Sequence, residues 1–319
     1  MDGAAAAEAG EGTLIELRPT DTAADLAAWV DVHNSASPRP ITTEELRAYR
    51  EDFDRELHLL ALTDGEPAGA AFAGVEPQLL GRATADAWMA VADGFRGAGL
   101  GLALYAELSH WARENGVEAF EGHTLADEIG ERWATRRGFV EIGRDTWLAL
   151  DLRELDLPSP DPPEGVEILT WARRPELARG IYEVAVEAYA DVPGQDRNEM
   201  QPFEGWLGSD MSGPNDRPEA VFVALAREEV VGYSKLHLSD ATPTIAFNDM
   251  TAVKRAWRGR GIAAALKRAQ IAWARQHGYE RLETANETRN EPIQRLNERL
   301  GYRPFSERVL LRGPLAPSP

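Results

Sequence analysis

The sequence predicts an α/β protein with mixed sheets, built as two tandem domains of one kind. Three observations predict it. A glycine-rich turn occurs twice, as Phe95-Arg96-Gly97-Ala98-Gly99-Leu100-Gly101 and as Trp257-Arg258-Gly259-Arg260-Gly261-Ile262-Ala263. The copies are followed at the same offset by Trp111-Ala112-Arg113-Glu114-Asn115-Gly116-Val117-Glu118 and Trp273-Ala274-Arg275-Gln276-His277-Gly278-Tyr279-Glu280, then by Arg137-Gly138-Phe139 and Leu300-Gly301-Tyr302. Between the halves lies Arg153 to Gly165, proline-rich and without apolar periodicity, which reads as a linker. Matches in one order on nearly one offset point to a duplication.

The expected division is 1–12 as a disordered tail, 13–152 and 166–319 as the two domains, and 153–165 as the linker. Each half opens on a short strand, Thr13 to Arg18 and Val166 to Thr170, followed by a helix, Ala23 to Asn34 and Pro175 to Ala190. A divergent stretch precedes a hairpin. In the first half His58 to Thr63 and Ala68 to Val75 flank the turn Asp64-Gly65; in the second, Ala220 to Arg227 and Val230 to Leu238 turn near Glu228-Glu229. A strand then runs into each glycine-rich turn, Ala87 to Val91 and Phe247 to Val253, and a helix leaves it, Leu100 to Asn115 and Ile262 to His277. In the second helix Ile262, Leu266, Ala269, Ile271 and Trp273 form an apolar face of roughly helical period. A strand, a helix and a final strand complete each half.

Composition narrows the function. The chain has 319 residues, enough for two cores, and 43% hydrophobic residues. It has no cysteine, so disulfides, thiolate nucleophiles and cysteine-based zinc sites are excluded. Its six histidines are scattered without metal-ligand spacing, and no metal is expected. A net charge of −19 opposes nucleic acid. No apolar run suits a membrane span and the start does not resemble a signal peptide, so a cytoplasmic protein is expected. The acidity also suits a cationic substrate, drawn towards an acidic cleft.

The repeated turn carries the chemistry. Glycines let the backbone bend tightly and approach a ligand with no Cβ in the way. Several N–H groups then share one concavity, and the following helix adds its free amides and the positive end of its dipole. A pyrophosphate fits such a cradle. No Gly-Lys-Ser/Thr follows, so the turn is not a Walker loop. Its place late in each half also differs from a dinucleotide-binding fingerprint.

Val253-Lys254-Arg255-Ala256-Trp257-Arg258-Gly259-Arg260-Gly261-Ile262-Ala263, with Asn290 and Leu300-Gly301-Tyr302 beyond it, resembles motif A and the later motifs of the GCN5-related N-acetyltransferases (GNAT). The resemblance covers both halves, most strongly Asn248 to Tyr302. It implies two tandem GNAT-like acyl-CoA N-acyltransferase domains, acetyl-CoA as cosubstrate and a small-molecule amine as acceptor. It further implies that the backbone of Thr251, Ala252 and Val253, and of Met89, Ala90 and Val91, pairs with the pantetheine arm. The pyrophosphate then falls to Arg258, Gly259, Arg260, Gly261, Ile262 and Ala263, and to Arg96, Gly97, Ala98, Gly99, Leu100 and Gly101. Asn290 is expected to bind the coenzyme arm; the first half has Asp127 there. Many family members carry an acid tyrosine four residues before the Gly-aromatic pair, whereas this chain has Ala134 and Asn297, so the general acid stays unassigned.

For the base, Asp249 is the first candidate. It shares strand parity with Thr251 and Val253, which predicts a common face, and the first half has Ala87 at the same offset. Glu283 on the next strand is the alternative, and His123 is a candidate for the first half. The fuller motif, Asn290 and Asp249 assign the chemistry to the second half. The stretch Tyr189 to Asp216, with Asp191, Asp196, Glu199, Trp206 and Asp210, is the expected acceptor region. Alternatives are a mycothiol synthase-like or antibiotic-modifying acetyltransferase, or a non-catalytic acetyl-CoA-binding scaffold.

Overall fold

The computed structural model describes residues 5–9, 13–51, 53–75, 83–156, 159–191 and 200–318. The chain packs as two units, one of residues 1–142 and 309–319 and one of residues 143–308. The expected linker does not mark this division; 153–165 lies wholly inside the second unit. Two long strands cross between the units instead, β7 (Val140–Asp151) and β13 (Arg303–Pro314). The proline-rich stretch signals where the sequence repeats meet, whereas the packing follows where each strand finds its ladder.

In the first unit the order is β1 (Ala5–Ala9), β2 (Thr13–Pro19), α1 (Ala23–Ala36), α2 (Thr43–Glu51), β3 (Arg55–Thr63), β4 (Glu66–Val75), β5 (Thr84–Val91), α3 (Leu100–Glu114), β6 (Ala119–Leu125) and α4 (Glu128–Thr135). The strands lie in that sequence across the sheet, and Arg312 of β13 pairs with Glu121 of β6 at 3.6 Å. All ladders from β1 to β5 are antiparallel, and β5 runs parallel to β6, which makes the sheet mixed. The hairpin turn falls on Asp64-Gly65 with φ of 50° and 84°, as a two-residue turn between twisted strands requires. Within the expected tail, Ala5–Ala9 pairs antiparallel with β2, because a strand edge offers unpaired backbone groups that any short extended segment can satisfy. Residues 1–4 and 10–12 lie outside the described residues.

The second unit repeats the plan with β8 (Val166–Thr170), α5 (Ala178–Tyr189), α6 (Phe203–Met211), β9 (Val221–Ala226), β10 (Glu229–His237), β11 (Ile245–Val253), α7 (Ile262–Gln276), β12 (Arg281–Glu287) and α8 (Glu291–Arg299). Its sheet runs β7-β12-β11-β10-β9-β8. One face packs on α7 through Ile262, Leu266, Ala269 and Ala274. The other packs on α5 and α6 through Ile181, Val184, Trp206 and Met211. In the first unit α3 covers one face and α1 with α2 the other. No helix among the described residues is long and apolar enough to cross a membrane.

Candidate functional site

Both units contain a fork. β11 pairs with β12 only from Ile245 to Phe247, against Arg281 to Glu283, and then continues to Val253 on β10 alone. β5 does the same: Thr84 to Asp86 pairs with Ala119 to Glu121, and Met89 to Val91 stays only on β4. Past the fork one side of each strand has no neighbouring strand. Thr251 to Val253 and Met89 to Val91, the stretches expected to bind the pantetheine arm, are those segments.

The fork leads to the glycine-rich turn. Gly259 and Gly261 have φ of 75° and 87°, and Gly97 and Gly99 of 84° and 90°. Side chains rarely adopt such values, which is why glycines stand there. Gly261 and Gly99 are the N-caps of α7 and α3, and neither helix start is capped by a side chain. The amides of Arg258 to Ala263 and of Arg96 to Gly101 therefore sit at an uncapped positive helix end. Ile262 and Leu100 bury their side chains in the cores, so only their backbones serve the turn. Arg258 donates from Nε to the Val253 carbonyl at 2.9 Å, and Arg96 to Val91 at 3.2 Å, so each arginine ties its loop to the strand end.

At Asp249 the units diverge. On β10, Lys235 lies opposite Met250 and Leu236 opposite Asn248, so Asp249 is the extra residue of a β-bulge. The β4–β5 ladder runs through this stretch without a shift. Two corrections follow. A bulge resets alternation, so Asp249 does not share the face of Thr251. Thr251 Oγ1 donates to Asn248 Oδ1 (3.3 Å) on the α7 side, whereas Asp249 Oδ2 lies 3.2 Å from Lys235 Nζ on the α6 side. Ala87 is also not its counterpart: by ladder position Ala87 matches Asn248, and Asp249 has no equivalent in β5. The same match appears across the fork. Thr284 Oγ1 donates to the Asn248 carbonyl at 3.0 Å, while Gly122 sits so near the Ala87 carbonyl that a Cβ there would lie 2.2 Å from it.

Asp249 joins a charged group that the sequence did not assemble. Lys235, 2% exposed, donates to the Asp210 carbonyl and lies 3.2 Å from Asp249, 3.4 Å from Asp216 and 3.6 Å from the Asp210 carboxylate. Burial alone lowers a lysine, but here Asp249, Asp210 and Asp216 overcome it and raise Lys235 above its ordinary range. Burial raises the Asp210 carboxyl despite Lys235. His237 completes the group. Its Nε2 is 3.1 Å from Asp216 and 4.0 Å from Asp249. Asp216 is fixed in turn by the Gly213 amide at 3.0 Å. Three carboxylates thus surround one ammonium beside a partly exposed imidazole, an arrangement able to hold a second cation and to accept its proton.

The first unit has a cluster of aromatic and imidazole rings at the matching place. Phe72 occupies the ladder position of Lys235, opposite Trp88. Trp88 packs at a tilt against Trp29 (ring centres 5.5 Å apart) and His33 (4.7 Å), and the His58 ring centre lies 4.7 Å from that of Phe72. Burial lowers both histidines.

The remaining candidates separate. Glu283 pairs with Arg281 at 2.7 Å and sits on the last β11–β12 pair before the fork. Asp191 belongs to the glycine-rich turn: it binds Arg255 (2.6 Å) and Arg258 (2.7 Å), whose hydrogen bonds hold its carboxyl down to about 2. Of the other expected acceptor residues, Asp210 lies in the charged group and Trp206 is buried in the core. Asp196 and Glu199 lie outside the described residues. Asn290 stands at the N-cap of α8 without spending its side chain there, whereas Asp127 caps α4 by accepting from the Gly130 amide at 2.7 Å. Asn297 is buried and donates to Asn286 at 2.5 Å. His123 lies on β6 in the first unit.

Sequence reasoning missed Lys235, His237 and Asp216. The signal was present. Lysine occurs at only three positions, and two of them, Lys235 and Lys267, are buried in the second unit. A lysine inside the apolar strand run Val230 to Leu238 needs a counter-charge.

A tandem pair of mixed α/β units, each with a forked strand leading to a glycine-rich helix start, defines the class. The chain belongs to the Acetyltransferase (GNAT) family, whose model matches residues 26–139 and again 178–302. The mycothiol acetyltransferase of Thermobispora bispora is 27% identical over 304 residues, covering 93% of this chain and 98% of that protein. A GCN5-related N-acetyltransferase structure from Sphaerobacter thermophilus matches with a TM-score of 0.75 and 23% identity, over 96% of this chain and 97% of that one. A tandem GNAT protein from the clavulanic acid biosynthesis pathway matches with a TM-score of 0.76 and 20% identity, over 96% and 100%. These two likenesses establish the fold.

Proposed function

We propose that the protein is an N-acetyltransferase that moves the acetyl group of acetyl-CoA to a primary amine of a small, cationic molecule, with the chemistry in the second unit. The observation that carries this is the bulge at Asp249, which aims a carboxylate into the group of Lys235, Asp210, Asp216 and His237. An ammonium acceptor is attracted by three carboxylates set against one lysine. Asp249 is the proposed base, with His237 within 4.0 Å to pass the proton on. Glu283 is the weaker choice because it sits on the last β11–β12 pair before the fork and not at the bulge. The amine then attacks the thioester directly and the CoA thiolate leaves, so no covalent enzyme intermediate is needed.

Coenzyme binding is assigned to the unpaired strand segment Thr251 to Val253, the amides of Arg258 to Ala263 and the uncommitted side chain of Asn290. The first unit, with its equivalent turn at Arg96 to Gly101, either binds a second coenzyme or supports the fold. Its aromatic packing around Trp88 favours the non-catalytic role. The Thermobispora relative makes an aminoacyl-sugar amine a reasonable acceptor. An antibiotic amine or a polyamine remains an alternative, and a scaffold that binds acetyl-CoA without turnover is the reading from another class.

A thiol-release assay with acetyl-CoA tests this. Glucosamine, S-methylcysteinyl-glucosamine, kanamycin and spermidine sample sugar, aminoacyl-sugar, aminoglycoside and polyamine acceptors. At least one is expected to raise thiol release more than tenfold over buffer. Calorimetric binding of acetyl-CoA without turnover on any of them would support the scaffold reading.

A further inference from the structure

Asn248 and Lys267 lie in the second unit's core, on the α7 side of the bulge. Asn248 donates from Nδ2 to the carbonyls of Lys235 (3.2 Å) and Met250 (3.0 Å), one on each strand, and so closes the bulge from below. Its Oδ1 accepts from Thr251 Oγ1 at 3.3 Å and from Lys267 Nζ. Lys267, on α7 and 1% exposed, has its nitrogen 5.0 Å from the centre of the Tyr302 ring. A lysine buried this deeply is costly. The first unit carries neither partner: Tyr105, at the equivalent helical position, donates instead to the Pro314 carbonyl (2.6 Å), and Ala87 matches Asn248. There the ladder has no bulge. Brace and bulge are present together in one unit and absent together from the other.

We propose that Lys267 and Asn248 form a brace that holds the bulged strand in register, keeps Asp249 turned towards the acceptor side and is retained at the expense of stability. The proposal rests on the acetyltransferase reading for its functional part. Lys267 is a positioning residue, acting through Asn248. Fixing the amide oxygen with a lysine nitrogen leaves the amide NH2 group no choice but to face the two carbonyls, which selects one bulge geometry. An apolar residue on α7 leaves the Asn248 oxygen with Thr251 Oγ1 as its remaining donor, so the amide and the bulge it closes are held less firmly.

The stability cost has a sign. Burial pushes Lys267 down to about 7, from 10.5 for a free lysine. The facing groups are the Asn248 amide and the Tyr302 ring, whose hydroxyl burial raises. The folded value lies below the unfolded one. The cost of the charged form is therefore present in full below about pH 7, and fades as pH rises towards 10.5. Stability should climb across that window.

Lys267→Met keeps the stem and removes the nitrogen. At pH 7 it is expected to raise Tm by roughly 3–8 °C and to flatten the rise in stability above pH 7. Amide exchange across Asn248 to Thr251 should quicken severalfold. Turnover at saturating acetyl-CoA, with whichever amine of the panel the wild type uses, should fall at least tenfold, with the Kd for acetyl-CoA unchanged within twofold. Asn248→Ser should give the same faster exchange without the gain in Tm, which separates the brace from general repacking. Unchanged exchange in both variants would overturn the proposal. A wild-type protein that acetylates none of the amines, with the exchange effect intact, would leave the brace standing and sink the acetyltransferase reading.

Discussion

Asp249→Asn is expected to lower turnover by about 10²–10⁴-fold, the range in which a positioned base contributes. The substitution keeps the shape of the side chain and its bulged position, and removes the basicity. Lys235 loses one of its three carboxylates and keeps Asp216 at 3.4 Å and Asp210 at 3.6 Å, so no buried charge is left without a partner. The fold should therefore survive, with Tm changed by only a few degrees. The Kd for acetyl-CoA should stay within twofold, since the glycine-rich turn is untouched. A weakened affinity for the cationic amine, alongside the fall in kcat, would show that the carboxylate also attracts the acceptor. Turnover within threefold of wild type would remove Asp249 from the chemistry and leave His237 as the nearer candidate.

Gly261→Val has the second large effect. With φ of 87°, the position suits glycine, and a β-branched residue there is strained by about 1–3 kcal/mol. Nothing lies within 4 Å of a Cβ at this site, so the variant should fold. The strain turns the amides of Gly261 and Ile262 away from their common concavity, and the methyl groups stand where a pyrophosphate has to approach. Acetyl-CoA binding in the second unit should be lost, and turnover should fall at least 100-fold. Gly99→Val makes the equivalent change in the first unit, where φ is 90°. It should leave turnover within threefold. Loss of turnover from Gly99→Val alone would transfer the chemistry to the first unit.

The reach of the sequence is clear from these two residues. Gly261 was legible because a tight turn into a helix has a local signature, and because its copy at Gly99 repeats it. The forks fall on the two stretches that the resemblance assigned to the pantetheine arm, and the strand and helix order was read within a few residues at most positions. Asp249 was legible as a candidate, but its direction was not. Strand alternation gives the wrong face because one extra residue lies between Asn248 and Met250, and a bulge is a property of two strands in register. The offset that aligns the loops fails just before the bulge, which is why Ala87 seemed to match Asp249.

Lys235 and His237 are near neighbours on β10, but Asp216 comes from a distant loop, so only folding completes the group. Lys267 sits where helical period places an apolar residue, and no local pattern marks it as a partner of Asn248. The division between units was hidden for a similar reason. Strands β7 and β13 each cross it, and no local composition marks the crossing.

A crystal structure of the protein with acetyl-CoA tests the central claim most directly. The pyrophosphate is expected on the amides of Arg258 to Ala263, the pantetheine arm along Thr251 to Val253, and the acetyl carbon beside the bulge on the side of Asp249 and His237. An acetyl group ending against Trp88 in the first unit, with the turn at Gly259 to Gly261 making no contact to coenzyme, would contradict it.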